Sequence, residues 1–249
     1  MDKSELKIKK QSGMTPMKRR STQRGFTLAE LAIVMLIIAL ILGGILIPLG
    51  TQVQNKRVAD TQKTLEEIKE ALIGFAVINK RLPRPAASPT LGTEKTSNCT
   101  TDPTCTGYIP WATLGVSKLD AWGKMIRYSV MPSFANSPAA ITITTAGDKT
   151  IKTRDSAGAL ADQAINVPVV LISSGAKNTG YLETGAFLLD SSTTNVDEET
   201  NTGLSSQTTF ISRIATDVTS TGGGEFDDIV TWIPTTILIN RLVAAGQLP

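Results

Sequence analysis

Read from its N-terminus, the chain changes hydrophobic pattern several times. Residues 1–24 are polar and basic, with no apolar period. Residues 31–49 then run without a single charged side chain. About 20 apolar residues are what an α-helix needs to cross a bilayer. From Thr51 the pattern becomes periodic. Val58, Leu65, Ile68, Leu72 and Phe75 recur at helical spacing, while Lys56, Arg57, Lys63, Glu66, Glu67, Lys69 and Glu70 occupy most other faces. This predicts an amphipathic helix ending near Asn79. Leu82-Pro83-Arg84-Pro85 closes it, because a residue before proline disfavours helical geometry. Gly43, Gly44, Pro48 and Gly50 lie in the outer half of the apolar run, and a kink or local melting is expected at Pro48.

Beyond residue 81 the pattern turns to strands and loops. Residues 87–107 form a loop rich in Thr, Ser, Pro and Gly that holds both cysteines. Strands are expected within 124–131, 140–145, 167–173 and 226–233. Ile141 and Ile143 alternate with threonines, a half-buried antiparallel pattern, whereas 167–173 is a continuous apolar run suited to a central strand. In the turn Asp120-Ala121-Trp122-Gly123, Asp120 can bond the backbone two residues on and Gly123 can take a positive φ. Trp122 is read as packing over one end of the core. Residues 191–224 read as a long exposed loop with a short strand near 210–214. Residues 234–245 read as a helix opened by Pro234 and stopped by Gly246, with Ile237, Leu238, Leu242 and Val243 on its apolar side. The helical stripe needs a sheet to cover it. The fold class is therefore α+β, a long N-terminal helix whose outer half packs on an antiparallel sheet.

Charge divides the chain. The formal net charge is +3, but residues 1–25 carry eight basic and two acidic side chains, a net of +6, which leaves −3 for the remainder. Basic residues ahead of a first span orient it with the N-terminus in the cytoplasm. The acidic remainder argues against a nucleic-acid partner. There is no histidine, which removes the commonest general base and transition-metal ligand. Cys99 and Cys105, with five residues between them, suit a small disulfide loop in an exported domain. Two free thiols are the alternative. Asp227-Asp228 is a tempting carboxylate pair, but neighbours on a strand point to opposite faces, which spoils them as a catalytic dyad.

Gly25, Phe26 and Glu30, placed behind a basic leader and before an apolar run, resemble the processing motif of type IV prepilins and type II secretion pseudopilins. The resemblance implies cleavage between Gly25 and Phe26 by a prepilin peptidase and N-methylation of the new N-terminal Phe26. It also implies that Glu30 meets the terminal amine of a neighbouring subunit during assembly. The Asp120-x-Trp122-Gly123 turn resembles one found in pseudopilin heads. Loops in some of those heads bind calcium, and Asp197-Glu198-Glu199 is the run here that could do so. Three consecutive acids lack the spaced ligands of a calcium loop. The expectation is a solvated acidic turn, with no cofactor.

This reading divides the chain into a leader (1–25), a transmembrane helix (26–50), an amphipathic helix (51–80) and a β-rich head (81–249) outside the cytoplasm. The expected function is structural, with no catalytic residues. The chain is a filament subunit, a pseudopilin or a minor pilin, stored as a single-pass protein of the inner membrane. Its partners are the peptidase, other pilin subunits, an assembly platform and lipid. A pilus-tip adhesin, a DNA-uptake pilin and a membrane-anchored periplasmic enzyme are the rival readings. A plain membrane anchor explains the apolar run but not Phe26 and Glu30. An ordinary secretory signal has a shorter apolar region.

Overall fold

A computed structural model of the chain describes residues 25–136, 141–177, 179–189, 191–202, 208–220 and 222–248, and only the backbone of 43–49. The basic leader 1–24, Ala140, Asn178 and residues 203–207 of the expected loop lie outside the described residues. The chain divides into two units, one ending at Gly50 and one beginning at Thr51.

Helix α1 (Leu28–Asn79) is helical through Pro48, so the local melting expected there is not found. Proline removes one donor, and the hydrogen bonds on either side of it can persist. Every residue from 25 to 42 is exposed. Among the described residues no helix is long and apolar enough to cross a membrane. The expected span covers 31–49, and the side chains of 43–49 lie outside the described residues.

In the second unit α1 ends where sequence reasoning placed it, but by a different device. Lys80 adopts a left-handed φ of 56°, and its N–H reaches the Ala76 carbonyl at 2.8 Å. This is a left-handed helix stop, set before the proline pair begins. In chain order there follow β1 (Thr106–Tyr108), α2 (Trp111–Leu114), β2 (Arg127–Val130), α3 (Pro132–Ala135), β3 (Lys149–Arg154), β4 (Leu160–Val167) and β5 (Val169–Ser173). Then come β6 (Gly180–Tyr181), β7 (Phe187–Leu188), α4 (Val196–Thr202), β8 (Thr209–Ile211), β9 (Ile229–Ile233) and α5 (Thr235–Ala244).

The main sheet has the order β1-β2-β5-β9 and is antiparallel throughout. A second sheet, β4-β3-β8, was not expected, and its β3–β8 pair is parallel. Strand β5 explains how the two layers meet. Val169 and Leu171 join Leu65, Ile68 and Leu72 of α1 in the larger core, with Tyr128, Ile233, Leu238 and Leu242. Val170 and Ile172 join Ile151 and Phe210 of the second sheet in a smaller core. Successive strand residues face opposite sides, so a strand covered on both faces must be apolar at every position. The continuous run at 167–173 carries that requirement.

Three other expectations are corrected. Described residues 141–145 form a turn, not a strand. The Thr145 N–H reaches the Thr142 carbonyl at 3.1 Å, and the Thr142 N–H reaches Thr145 Oγ1 at 2.8 Å. Threonine hydroxyls offer the backbone local partners that compete with a ladder. In α5, Leu238 and Leu242 are buried with Ile239, whereas Ile237 and Val243 are exposed. Trp122 does not enter either core; Trp111 packs against the larger one and Trp232 against the smaller. Trp122 is half-buried, and its Nε1 donates to Gln54 Oε1 of α1 at 3.1 Å. The turn beneath it forms as expected. Asp120 Oδ1 accepts from the Trp122 N–H at 2.9 Å, and Gly123 has a φ of 80°.

The disulfide Cys99–Cys105 is formed and buried. Its loop is tied to the second sheet by an ion pair between Asp102 and the fully buried Lys149 of β3. Behind α1, Arg81 grips Glu94 with two hydrogen bonds of 2.7 and 2.8 Å, and the Arg84 N–H adds a third at 3.0 Å. Burial alone would raise the Glu94 pKa, but these donors outweigh it and hold the carboxyl below its ordinary value of 4.5. A depressed folded-state pKa means that the folded form binds the proton less readily than the unfolded one. The contribution of Glu94 is therefore complete above about pH 4.5 and lost as pH falls through the depressed value. Glu94→Gln should cost about 1.5–3 kcal/mol at pH 7, the range for hydrogen bonds to charged groups. Denaturant melts at pH 7 and pH 3 check this, and the gap between variant and parent should shrink at the lower pH.

Candidate functional site

The N-terminal site is built on the start of α1. Phe26 is 85% exposed, and Gly25 has open space around it. Thr27 sits at the N-cap position ahead of Leu28. Its Oγ1 accepts the Glu30 N–H at 3.2 Å, while Glu30 Oε2 accepts the Thr27 N–H and the Thr27 hydroxyl, both at 2.8 Å. This reciprocal pair is a capping box, which satisfies donors that a helix start otherwise leaves open. The resemblance implies a neighbour's amine for Glu30 and no role for Thr27, although Thr-x-x-Glu ahead of an apolar run is the signature of this cap. Both bonds from Thr27 use Oε2. Among the described residues no donor reaches Oε1, so the carboxylate is held in place with one oxygen open. Beyond it, Leu31, Ile33, Leu36, Leu40 and Ile41 are all about half exposed or more.

The second candidate lies in the head, where sequence reasoning expected a solvated acidic turn. The run Asp197-Glu198-Glu199 instead opens α4. Successive helical side chains diverge by about 100°, so the three acids go to different surroundings. Asp197 is buried and bonds Arg154 at 2.7 and 2.8 Å and Arg213 at 2.7 Å. Glu199 faces solvent. Glu198 is buried and meets Asp227 and Asp228, one oxygen from each of the three lying within 4.8 Å of the others. This overturns the reading of Asp227 and Asp228 as divergent neighbours, since both precede β9 rather than lying in an extended strand.

Hydrogen bonds fix each of these carboxylates. Glu198 Oε1 accepts the Asp227 N–H at 2.7 Å, and its Oε2 accepts Asn195 Nδ2 at 3.0 Å. Asp227 Oδ2 accepts the N–H groups of Ala176 and Lys177 at 2.9 and 2.8 Å. Asp228 Oδ2 accepts Asn201 Nδ2 at 2.8 Å. Burial pushes Glu198 up to about 7 and Asp228 well above its ordinary value. The pair Asp227 and Asp228 also lines a groove of about 750 Å³ together with Trp122, Lys177, Arg213 and Asp217.

Residues 20–46 match the family model described as the prokaryotic N-terminal methylation motif. The chain carries the type IV prepilin signature. The matched segment contains Gly25, Phe26, Thr27 and Glu30 and leaves the head unmatched. No curated protein and no solved structure gives a significant match to the chain.

The prepilin signature belongs to a family of structural subunits rather than enzymes. The tyrosines of the second unit are engaged in packing. Tyr128 is fully buried with its hydroxyl on the Pro83 carbonyl at 2.8 Å. Tyr108 and Tyr181 stack edge to face at 5.4 Å. None of the three lines the carboxylate groove.

Proposed function

We propose that this prepilin-type chain is a structural subunit of a type IV filament, a pseudopilin or a minor pilin. In this reading a prepilin peptidase cuts between Gly25 and Phe26 and methylates the Phe26 amine. The subunit waits in the inner membrane with its head outside the cytoplasm. It is then drawn through the assembly platform into a bundle of like helices. One observation carries the proposal: within the matched segment, every residue from 25 to 42 is exposed and most are apolar. An exposed apolar surface of that extent marks contact with lipid or other chains.

Exchanging lipid for neighbouring helices gains little hydrophobic energy, since both surroundings are apolar. Register then depends on polar groups. A carboxylate carried to the bilayer centre costs about 2.5–3.5 kcal/mol. Glu30, held by Thr27 with Oε1 open, is placed to take a neighbour's methylated amine. Glu30→Ala should be cleaved normally yet be absent from sheared or cross-linked filaments. Incorporation of this variant at the parent's level would reject the assembly role.

A further inference from the structure

We propose that Lys149 and Asp102 condense into an amide cross-link inside the folded chain, with Asp148 as the proton carrier. The cross-link ties the disulfide loop to the second sheet. Lys149 opens β3, and its side chain is fully buried. Asp102 reaches it from within the Cys99–Cys105 loop and accepts a hydrogen bond from Nζ. Asp148 Oδ1 lies 3.1 Å from the same nitrogen. Among the described residues Nζ has no other partner.

Two contrasts separate this group from the other lysine pairs. Lys124 is also buried, but it gives its protons to the carbonyls of Ser174, Lys177 and Thr179, which are amides already. Lys152 faces Asp162 where both side chains are open to solvent. Lys149 meets only carboxyl groups, and its nitrogen is shielded from water. A further observation concerns Asp148. Its Oδ1 is buried and has no hydrogen-bond partner among the described residues, although it lies against Nζ. A buried oxygen left in that condition needs an explanation, and here it leaves a lone pair free to take a proton. Burial raises the Asp148 carboxyl above its ordinary value of 3.8, and Asp102 adds to this against the pull of Lys149. A carboxyl that keeps its proton more readily can also pass it on.

Both acids are held on fixed backbone. The Thr104 and Cys105 N–H groups each reach the Thr101 carbonyl at 3.0 Å, and the disulfide closes the loop around Asp102. Beside Asp148, the Gly147 N–H reaches the Asn166 carbonyl at 3.1 Å, and a Cβ at Gly147 would strike the Val167 backbone. Partners fixed in reacting geometry behave as if at concentrations up to about 10⁵–10⁸ M. Burial also favours the product, since two desolvated charges become one neutral amide. The reactants are the Lys149 ammonium, the Asp102 carboxylate and protonated Asp148. Asp148 gives its proton to Asp102 and takes one from Nζ, which leaves a neutral amine facing a neutral acid. The Nζ lone pair then attacks Asp102 Cγ and forms the C–N bond. As nitrogen sheds a second proton to one oxygen of Asp148, the other oxygen passes its proton to the departing hydroxyl. The Cγ–O bond breaks, and one water leaves past the partly exposed Asp102. Asp148 ends protonated as it began. Nothing is oxidised or reduced, and no co-reactant is consumed. Pro103 follows Asp102, so no backbone N–H is there for the competing cyclisation to a succinimide.

The test is mass spectrometry of the full chain purified in detergent, with its cysteines reduced and alkylated. The intact mass should fall below the value expected for its sequence by one water. Trypsin should not cut after Lys149, and the peptide bearing Lys149 should appear joined to the one bearing Asp102. Asp102→Ala should lose no water and should be cut after Lys149. Asp148→Asn should slow linking in pulse-labelled chains about a hundredfold or more, the least that a positioned acid–base group supplies. Asp148→Glu should recover most of that rate, which a merely structural role for Asp148 does not predict. A parent chain at its full mass, with Lys149 cut, overturns the proposal however the variants behave. Loss of water without the joined peptides overturns the assignment to this pair. Linking of Asp148→Asn at the parent's rate overturns the proton-carrying role.

Discussion

Gly25→Ala should leave the chain uncut, so that the variant accumulates in membranes with residues 1–25 still attached. The expected change is nearly complete loss of the processed form. Its strength as a test comes from the geometry around Gly25. A Cβ added there meets no atom within 4 Å, and the backbone needs no left-handed φ. The substitution therefore costs the fold nothing. Any loss of cutting reports recognition of the scissile segment by the peptidase, not misfolding. Size on a denaturing gel, read beside the parent in the same strain, checks it. Normal processing of the variant would mean that the glycine is dispensable to the enzyme.

Leu72→Ala should strongly destabilise the second unit. Leu72 is fully buried on the inner stripe of α1 with Leu65, Ile68, Val169, Leu171 and Leu238. Truncating a buried leucine removes transfer energy and leaves a cavity, together about 2–5 kcal/mol. For a unit of about 200 residues, each kcal/mol moves the melting temperature by about 2–4 °C, so a fall of roughly 4–20 °C is expected. Gly74 provides the control on the opposite face. It is exposed, and a Cβ there would meet open space. Gly74→Ala should stabilise the helix by somewhat under about 1 kcal/mol. Thermal melting of the two variants separates the buried stripe from helix propensity. Equal behaviour would mean that α1 does not carry the core.

The features legible in the sequence are those that local chemistry decides. The stripe of Leu65, Ile68 and Leu72 repeats at helical spacing, so its buried face could be read directly. The Asp120 turn needs only its own side chain and Gly123. The cysteine loop closes within seven residues. Strand β5 was legible as central because burial on both faces leaves no room for polar alternation.

The second sheet was hidden for the converse reason. Strand β4 is mostly exposed, so Leu160–Val167 carries no apolar period. Strand β3 places a lysine at a fully buried position, where Asp102 and Asp148 neutralise it. Strand β8 finds its parallel partner about 60 residues back in the chain. The carboxylate cluster was illegible because Glu198 meets Asp227 and Asp228 only through tertiary packing. The divergence of 197–199 depends on α4 being a helix, a short one set in a stretch of Thr, Ser, Asn and Gly. Thr27 is a different case. Its capping spacing to Glu30 is local and is present in the sequence.

In the proposed subunit the working polypeptide begins with an amine placed beside an acid at the head of an apolar helix. Intact and N-terminal mass spectrometry of the native membrane-extracted protein tests it most directly. The expected chain starts at Phe26 and carries a methyl group on its α-nitrogen. A mature chain that retains Met1 and the basic leader would contradict it.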